Sequence, residues 1–375
     1  MKTRFHALDA FRGICAISVV LFHLQILGAI SEWRFFREAE IFVEFFFVLS
    51  GFVLAHGYGY KQKLPFLPFI QARIWRLFPL HIVMLFAFIL LELGKLFAYK
   101  HAGIDFNSLP FTEQNHISEI VPNLLLIQSW VGAFDHLSFN YPSWSISVEF
   151  YLYLMLYFTI AAFSKTRQLS WVIISIISIV LLGMQSDTLT PQAIKGLACF
   201  FSGATTYLIY RKIHDLSLSK LTATLLELSL ILTTVVLVIS EFPFKPIASV
   251  FVFSAMVLLF SFESGFVSRI LLQTPLQYAG KLSYSIYMTH AAILLCLQSV
   301  FMVLEKLTHY KLTVMFNDKR YLTLGNEIAN DFLVFSVVLI VLLVSHFSYH
   351  YIEVVGQRFN RSRAQRSFQA KLSQN

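Results

Sequence analysis

The chain has 375 residues, of which 57% are hydrophobic and only 13% are charged. Because a soluble domain carries about 25% charged residues, this composition excludes a disordered chain and an ordinary soluble enzyme. It predicts a polytopic membrane protein, in which the net charge of +8 sets orientation and does not indicate a nucleic-acid partner.

Ten apolar stretches are predicted to cross the bilayer, which takes about 20 residues each. They lie at 10–30, 41–59, 77–98, 143–163, 169–184, 194–210, 221–240, 247–263, 284–304 and 332–353. A shorter run, 119–131, is expected to lie in the interface or to re-enter the membrane. The predicted fold is all-α, with one integral-membrane domain at 1–358 and a short basic cytoplasmic tail at 359–375.

The distribution of basic residues predicts the orientation of the chain. With the N-terminus in the cytoplasm, 18 Lys and Arg residues fall on the cytoplasmic side and 8 on the outer side. This bias predicts that both termini are cytoplasmic. The first stretch is interpreted as an uncleaved span and not as a signal peptide, because its apolar run is long and contains His23.

The first stretch carries ionisable residues, each of which costs at least about 2.5–3.5 kcal/mol in the middle of a membrane. Asp9 and Arg12 are three residues apart and can pair. Arg12 and His23 are eleven residues apart, which puts them on one helix face about 16 Å apart. The pattern indicates a polar stripe, and the alternative is a snorkelling arginine with an unrelated buried histidine.

The second stretch and the connection after it contain further candidates. Glu44 opens the stretch, and Ser50 precedes Gly51, a residue that permits close helix contact. Arg73 and Arg76 in RIWRLFP are predicted to lie at a cytoplasmic helix start. Two arginines on one face suit phosphate, which guanidinium binds in a bidentate manner, although they are also what any cytoplasmic loop would carry.

The segment PSWSISVEFYLYL, at 142–154, concentrates polar residues at the outer entrance of the fourth stretch. Trp144, Ser147 and Glu149 are its candidate site residues. A carboxylate that faces an apolar run can orient a histidine or bind an acceptor hydroxyl.

The ninth stretch places Tyr284, Tyr287 and His290 on one stripe at spacings of three. An interfacial aromatic girdle is the alternative, mainly for Tyr284. Near the end of the tenth stretch, two histidines and a glutamate share a face: His346, His350 and Glu353. We interpret these as a helix-end belt, and no metal site is expected.

Six pieces of the sequence, taken in order, resemble the acyltransferase-3 family of bacterial inner-membrane O-acyltransferases. They are LDAFRG with His23 after it, VEFFFVLSGF, RIWRLFP, SWSISVEFYLYL, LSYSIYMTH and SYHYIE, spread from residue 8 to 353. The resemblance implies a multi-pass protein of the bacterial inner membrane with about ten helices. It also implies an acyl-CoA donor, usually acetyl-CoA, and a polysaccharide or lipid-linked glycan acceptor at the outer face.

By resemblance, His23 is the catalytic histidine, Arg12 its partner on the same face, and Arg73 with Arg76 the contact for the CoA phosphates. Glu149 is the second catalytic candidate. Other positions that match or adjoin the family motifs, and whose roles stay open, are Asp9, Glu44, Ser50, Trp144, Ser147, Tyr287 and His290.

The sequence departs from the family pattern at its C-terminal part. Glu353 is followed by Val354 and not by the proline that is usual there, and no SGNH-type esterase domain follows the last stretch. We therefore expect direct transfer to the acceptor or a separate periplasmic partner, and a homo-oligomer is left open. The alternatives are a polysaccharide or anion transporter and an enzyme that acylates a small cytoplasmic metabolite.

Overall fold

The computed structural model describes residues 4–103, 106, 108–163, 165–316, 319–360 and 362. Thirteen α-helices lie within this described part: α1 (His6–His23), α2 (Arg34–Arg37), α3 (Phe42–Tyr58), α4 (Phe66–Ala102), α5 (Ile120–Leu124), α6 (Ser143–Ala162), α7 (Arg167–Gly183), α8 (Pro191–Ile213), α9 (Lys220–Ile239), α10 (Lys245–Phe260), α11 (Phe266–Leu271), α12 (Thr274–Thr308) and α13 (Glu327–Ser348). A π-helical turn at Tyr349–Glu353 follows α13, and two short strands, β1 (Thr313–Phe316) and β2 (Lys319–Leu322), pair in antiparallel fashion. The predicted all-α class therefore holds for the bundle, while this small hairpin was not predicted.

Each of the ten predicted stretches falls on a helix, but fewer helices have the length and apolarity of a membrane span. In the described residues seven helical segments do: His6–His23, Ala39–Tyr58, Phe66–His101, Ser143–Ala162, Lys220–Ile239, Thr274–Thr308 and Glu327–Asn360. Two further apolar helices, α7 and α10, are shorter. The number of ten spans and the cytoplasmic side of both termini stay predictions.

Several helix bounds differ from those expected. α1 ends at His23 and does not continue to residue 30, because Leu24 adopts extended backbone with φ −83° and ψ 111°. α4 begins at Phe66, so Arg73 and Arg76 lie inside the helix and not at its start. The 119–131 run contains only the five-residue α5, which is too short to cross a membrane, as expected.

The helix α8 lies among other helices, and glycines allow its closest contact. A Cβ on Gly51 of α3 would lie 1.8 Å from the carbonyl oxygen of Phe200, and one on Gly203 of α8 would lie 1.9 Å from that of Val48. The predicted role of Gly51 in close helix contact is therefore confirmed. Because α8 packs on protein, it can carry more polar residues than a lipid-facing span.

The bundle has two ends, which we call the terminal end and the hairpin end. The terminal end holds Arg4 and the first turn of α1, and the hairpin end holds β1 and β2 beside the last turn of α1. Ile26 forms a parallel bridge with Leu322, which ties the hairpin to the segment after α1. Of the predicted basic tail, only residues 359, 360 and 362 belong to the described part; its remaining residues lie outside it.

Candidate functional site

The pairing of α1 with α12 positions most of the site. A Cβ on Gly13 would lie 2.5 Å from the carbonyl carbon of Ala279, and one on Gly280 would lie 2.2 Å from the carbonyl oxygen of Asp9. His23 follows Gly13 by ten residues, and His290 follows Gly280 by ten. Because a helix rises about 1.5 Å per residue, both histidines lie about 15 Å along the same pair of helices.

The terminal end contains the first of three cavities along this pair, with a volume of about 330 Å³. Its ionisable lining consists of Arg4, Asp9, Arg12, His56, Arg73, Arg76, Lys281 and Glu353, with Tyr153, Tyr284 and Tyr349 among them. Five of these side chains are permanently basic and two are acidic. The cavity, which we call the basic cavity, therefore suits a ligand with several negative charges.

The arginines predicted from the sequence do meet in the basic cavity, although they come from different helices. Arg12 lies 3.9 Å from Asp9, as the spacing of three predicted. Arg73 donates to the Tyr58 hydroxyl over 3.1 Å, and its guanidinium also lies over the Tyr153 ring at 5.6 Å. These contacts hold the planar Arg73 guanidinium at the wall of the basic cavity.

The second cavity, about 40 Å³ in volume, lies in the middle of the bundle and shares Arg12, Ser50 and Tyr284 with the basic cavity. We call it the central cavity. Glu149 lines it and accepts hydrogen bonds from Ser50, over 2.5 Å, and from Tyr153. The structure thus brings together two residues, Ser50 and Glu149, that are 99 positions apart.

Tyr287 lines the central cavity on the side towards the hairpin end. Ser145 donates to the Tyr287 hydroxyl over 2.9 Å, and the Tyr287 ring lies 6.0 Å from that of His290. Tyr287 therefore connects the central cavity with the histidines, which makes it part of the predicted stripe on α12.

The third cavity, about 220 Å³ in volume, lies at the hairpin end, and His23 lines it. We call it the histidine cavity. The rings of His23 and His290 are stacked with centroids 5.3 Å apart, and the Tyr141 ring lies 4.5 Å from His23. His290 is completely buried, its Nδ1 lies 3.2 Å from the Ile286 carbonyl oxygen, and its Nε2 has no hydrogen-bond partner among the described residues. This geometry leaves a proton acceptor beside His23.

Tyr141 was not predicted as a site residue. Burial raises the pKa of its phenol well above the ordinary value, so the hydroxyl stays protonated and can donate a hydrogen bond beside His23. The segment before it is attached to α12, because Asn140 donates to the Met288 carbonyl oxygen over 3.1 Å.

Arg37 holds the end of α1 on which His23 lies. Its two terminal nitrogens donate to the carbonyl oxygens of Phe22, over 3.0 Å, and Leu24, over 2.6 Å, and it also pairs with Glu32. The last carbonyls of a helix have no partner within the helix. A guanidinium that binds the carbonyls on either side of His23 therefore restricts the position of this residue.

Two predicted residues belong to a different cavity of about 350 Å³, which Glu44 and Trp144 line together with Lys195. Glu44 pairs with Lys195 over 3.3 Å and accepts a hydrogen bond from Ser249. The structure thus places Glu44 in an ion pair between α3 and α8, and Glu44 does not line the basic, central or histidine cavity.

Ser147 forms hydrogen bonds with the backbone of the loop after α5 and does not contribute to the three cavities. Its hydroxyl donates to the Leu126 carbonyl oxygen over 2.6 Å, and it accepts from the Ser129 amide over 3.3 Å. It does not line the basic, central or histidine cavity. Ser147 therefore holds the loop after α5 against α6.

Glu353 and Tyr284, which were not among the predicted site residues, also line the cavities. Glu353, interpreted as part of a helix-end belt, is buried, accepts from Ser285 over 3.2 Å and lines the basic cavity. Tyr284, for which a girdle was the alternative, is buried and donates to the Leu77 carbonyl oxygen over 2.6 Å. The signal for Glu353 was a carboxylate at the end of an apolar stretch, which is costly unless it has a partner.

Comparison with known proteins adds an independent finding. A family model described as an acyltransferase domain matches residues 5–351, which is nearly the whole chain. The matched range contains every site residue predicted from the sequence, while Arg4 and Glu353 of the basic cavity lie just outside it.

Two curated proteins are similar to parts of the chain. Acyltransferase MdmB of Streptomyces mycarofaciens is 31% identical over 161 residues, which cover 41% of this chain and 35% of that protein. Protein 2 in the picA locus of Rhizobium radiobacter is 39% identical over 88 residues, which cover 22% of this chain and 42% of that protein. The matches thus span less than half of these relatives' own lengths. No solved structure matches the chain.

Proposed function

The chain belongs to the acyltransferase-3 family, and from this premise we propose that it is a membrane O-acyltransferase. It moves an acyl group, acetyl in the first instance, from acyl-CoA to a hydroxyl of a cell-surface or exported glycan. We place it in a bacterial inner membrane with both termini in the cytoplasm, in agreement with the bias of its basic residues.

One observation carries this proposal. The basic cavity and the histidine cavity lie at opposite ends of α1 and against successive parts of α12, residues 280–284 and 291–298, with the central cavity between them. An acyl-CoA has a polyanionic end and a thioester end joined by a long, narrow arm. A site that binds such a donor across a membrane needs this separation of cations from the catalytic base.

In our proposal the basic cavity binds the phosphates of the donor. Arg12, Arg73 and Arg76 line it, and guanidinium groups bind phosphate oxygens through paired hydrogen bonds. Asp9 and Glu353 line the same cavity and partly balance its charge, which limits the repulsion among the arginines in the free protein.

The acyl arm passes through the central cavity towards His23. The volume there is about 40 Å³, much smaller than the 330 Å³ of the basic cavity and the 220 Å³ of the histidine cavity. Side chains around it therefore have to change rotamer when the donor binds. Glu149 lies along this path, where its carboxylate can accept a hydrogen bond from an amide of the arm.

The transfer itself needs a base, because a hydroxyl is a poor nucleophile at neutral pH. A ring nitrogen of His23 takes the proton of the acceptor hydroxyl while the new C–O bond forms. The C–S bond of the thioester then breaks, and the departing thiolate takes the proton from His23. A base in such a position contributes about 10²–10⁴-fold in rate, and Tyr141 beside it can donate to the developing oxyanion.

Thioester cleavage by the purified full-length protein tests this function. In lipid nanodiscs with acetyl-CoA, release of free CoA thiol is followed with and without an added glycan acceptor. We expect His23→Ala to lower this release by about 10²–10⁴-fold. The matched control is His101→Ala, because His101 is exposed near the end of α4, away from the three cavities.

The outcomes separate the candidate functions. Undiminished release by the His23→Ala variant would remove His23 as the base. No release by the parent protein, with correct folding, would contradict the acyltransferase function and favour the transporter alternative.

A further inference from the structure

His290 on α12 is a completely buried histidine to which no step of the proposed transfer assigns a role. Its Nδ1 lies 3.2 Å from the Ile286 carbonyl oxygen. A carbonyl oxygen only accepts hydrogen bonds, so Nδ1 carries the ring proton and Nε2 carries a lone pair. His290 therefore has one defined tautomer, which its own helix sets.

Three rings form a closed group that includes His23. Measured between centroids, the His23 ring lies 4.5 Å from the Tyr141 ring and 5.3 Å from the His290 ring, and the latter two lie 6.0 Å from each other. All three distances fall within the range of about 4.5–7 Å in which aromatic rings attract each other. His23 therefore packs into a corner formed by Tyr141 and His290, which we call the aromatic corner.

Both walls of the aromatic corner are attached to α12. Asn140, next to Tyr141, donates to the Met288 carbonyl oxygen of this helix over 3.1 Å. His290 belongs to the helix itself, and the Tyr287 ring lies 6.0 Å from its ring. The two walls therefore keep a fixed relation to each other.

The His23 ring needs such contacts because its backbone does not set the plane of the ring. Arg37 binds the carbonyl oxygens of Phe22 and Leu24, which fixes the backbone on either side of His23. The second side-chain torsion of a histidine is broad and roughly two-fold, so a fixed backbone still permits several orientations of the ring nitrogens. A base has to present its lone pair within hydrogen-bond reach of the hydroxyl, and flat neighbouring rings restrict this torsion.

The lone pair on Nε2 raises a second role for His290, that of taking the proton from His23, and burial decides between the two. This nitrogen has no hydrogen-bond partner among the described residues, and His290 is completely buried. A proton on Nε2 would create a buried cation without a partner, which is strongly unfavourable. His290 therefore stays neutral, and the proton that His23 takes remains available for the departing thiolate.

We propose that His290 is a positioning residue of the transfer reaction. Its neutral ring, together with that of Tyr141, holds the His23 ring in the orientation that accepts the proton of the acceptor hydroxyl. This inference rests on the proposed acyltransferase function and adds to it a second histidine that takes no proton. Because His290 does not line the basic or the central cavity, it acts on the transfer step and not on the binding of the donor.

The test separates the flat face of His290 from its nitrogen atoms. The full-length protein in nanodiscs receives acetyl-CoA, and release of CoA thiol gives kcat and KM for His290→Leu and His290→Phe. Leucine removes the flat ring, so kcat should fall by about 2–10-fold, the factor that the loss of one aromatic pair supplies. Phenylalanine keeps a flat ring and should restore most of this loss. KM for acetyl-CoA should stay unchanged in both variants.

A control pair and a direct measurement of the tautomer accompany these variants. His101 is exposed near the end of α4, so His101→Leu and His101→Phe should have equal kcat values. Melting temperatures show whether either change at His290 disturbs folding. Nitrogen NMR of isotope-labelled histidine rings in the parent protein, assigned with the His290 variants, should show Nδ1 protonated and Nε2 unprotonated at the pH of maximal activity.

Three results would overturn the inference while leaving the proposed function intact. They are full activity of His290→Leu, equal losses of kcat in the folded His290→Leu and His290→Phe proteins, and a doubly protonated His290 ring at the pH of maximal activity. If a variant fails to fold, the NMR measurement on the parent protein decides. No thioester cleavage by the parent protein would contradict the acyltransferase function and, with it, the role of His290.

Discussion

Replacing Arg37 tests whether the end of α1 has to be held for catalysis. Arg37→Ala removes two hydrogen bonds from a guanidinium to the Phe22 and Leu24 carbonyl oxygens, of 3.0 and 2.6 Å. Hydrogen bonds that involve a charged group contribute about 1.5–3 kcal/mol each. Since such contributions are not additive, we take about 1.5–3 kcal/mol as the free energy by which Arg37→Ala destabilises the catalytic position of His23.

This loss translates into rate. Each 1.4 kcal/mol changes an equilibrium constant by about tenfold, so the fraction of molecules with His23 in place should fall about 10–10²-fold. We expect kcat for acetyl-CoA cleavage to fall by this factor. KM for acetyl-CoA should stay unchanged, because Arg37 lies at the end opposite the basic cavity. A lysine can replace the charge but cannot bind both carbonyls in the same way, so Arg37→Lys should be intermediate.

Arg34 supplies the matched control from the same short helix. Its ion pair with Glu241 has a length of 2.8 Å, and the side chains are 58% and 75% exposed. Such exposed pairs contribute about 0–1 kcal/mol, so Arg34→Ala should retain nearly full activity. Equal kcat values for the Arg37→Ala and Arg34→Ala proteins would refute the positioning role. A rise in KM together with a broad loss of thermal stability would instead indicate a general folding defect.

Two further predictions concern the fold and the donor site. Gly51→Ala should lower the melting temperature of the purified protein, because its Cβ would lie 1.8 Å from a backbone oxygen of α8 and overpacking costs about 1–3 kcal/mol. The control is Gly57→Ala in the same helix, whose Cβ meets nothing within 4 Å and which should leave stability equal or higher. Equal melting temperatures for the two variants would contradict the close contact. Replacing both Arg73 and Arg76 by Gln should weaken acetyl-CoA binding, measured by isothermal titration calorimetry, by about tenfold or more. The control is Arg269→Gln, because Arg269 is exposed at the same end of the bundle. Unaltered affinity in the double variant would remove the two arginines from the donor site.

Much of the secondary structure follows from local patterns in the sequence. Hydropathy over about twenty residues locates membrane helices, and each predicted stretch does fall on a helix. The Asp9 and Arg12 pair follows in the same way, because side chains three apart are neighbours on any helix. The bounds were less accurate: the end of α1 depends on pairing of the next residues with the hairpin, which no local pattern reports.

The sequence by itself determined the membrane class, most helices and, through resemblance, His23 and the arginines as candidates. Only the tertiary structure decided which candidates meet. It stacks His23 on His290, directs Glu353 into the basic cavity and assigns Ser147 to a loop contact. The physical reason is that a helix forms through hydrogen bonds between residues four apart, which a local sequence pattern reports. By contrast, α1 and α12 approach each other through backbone contacts at Gly13 and Gly280. Such contacts depend on the shapes of both helices, which are far apart in the sequence.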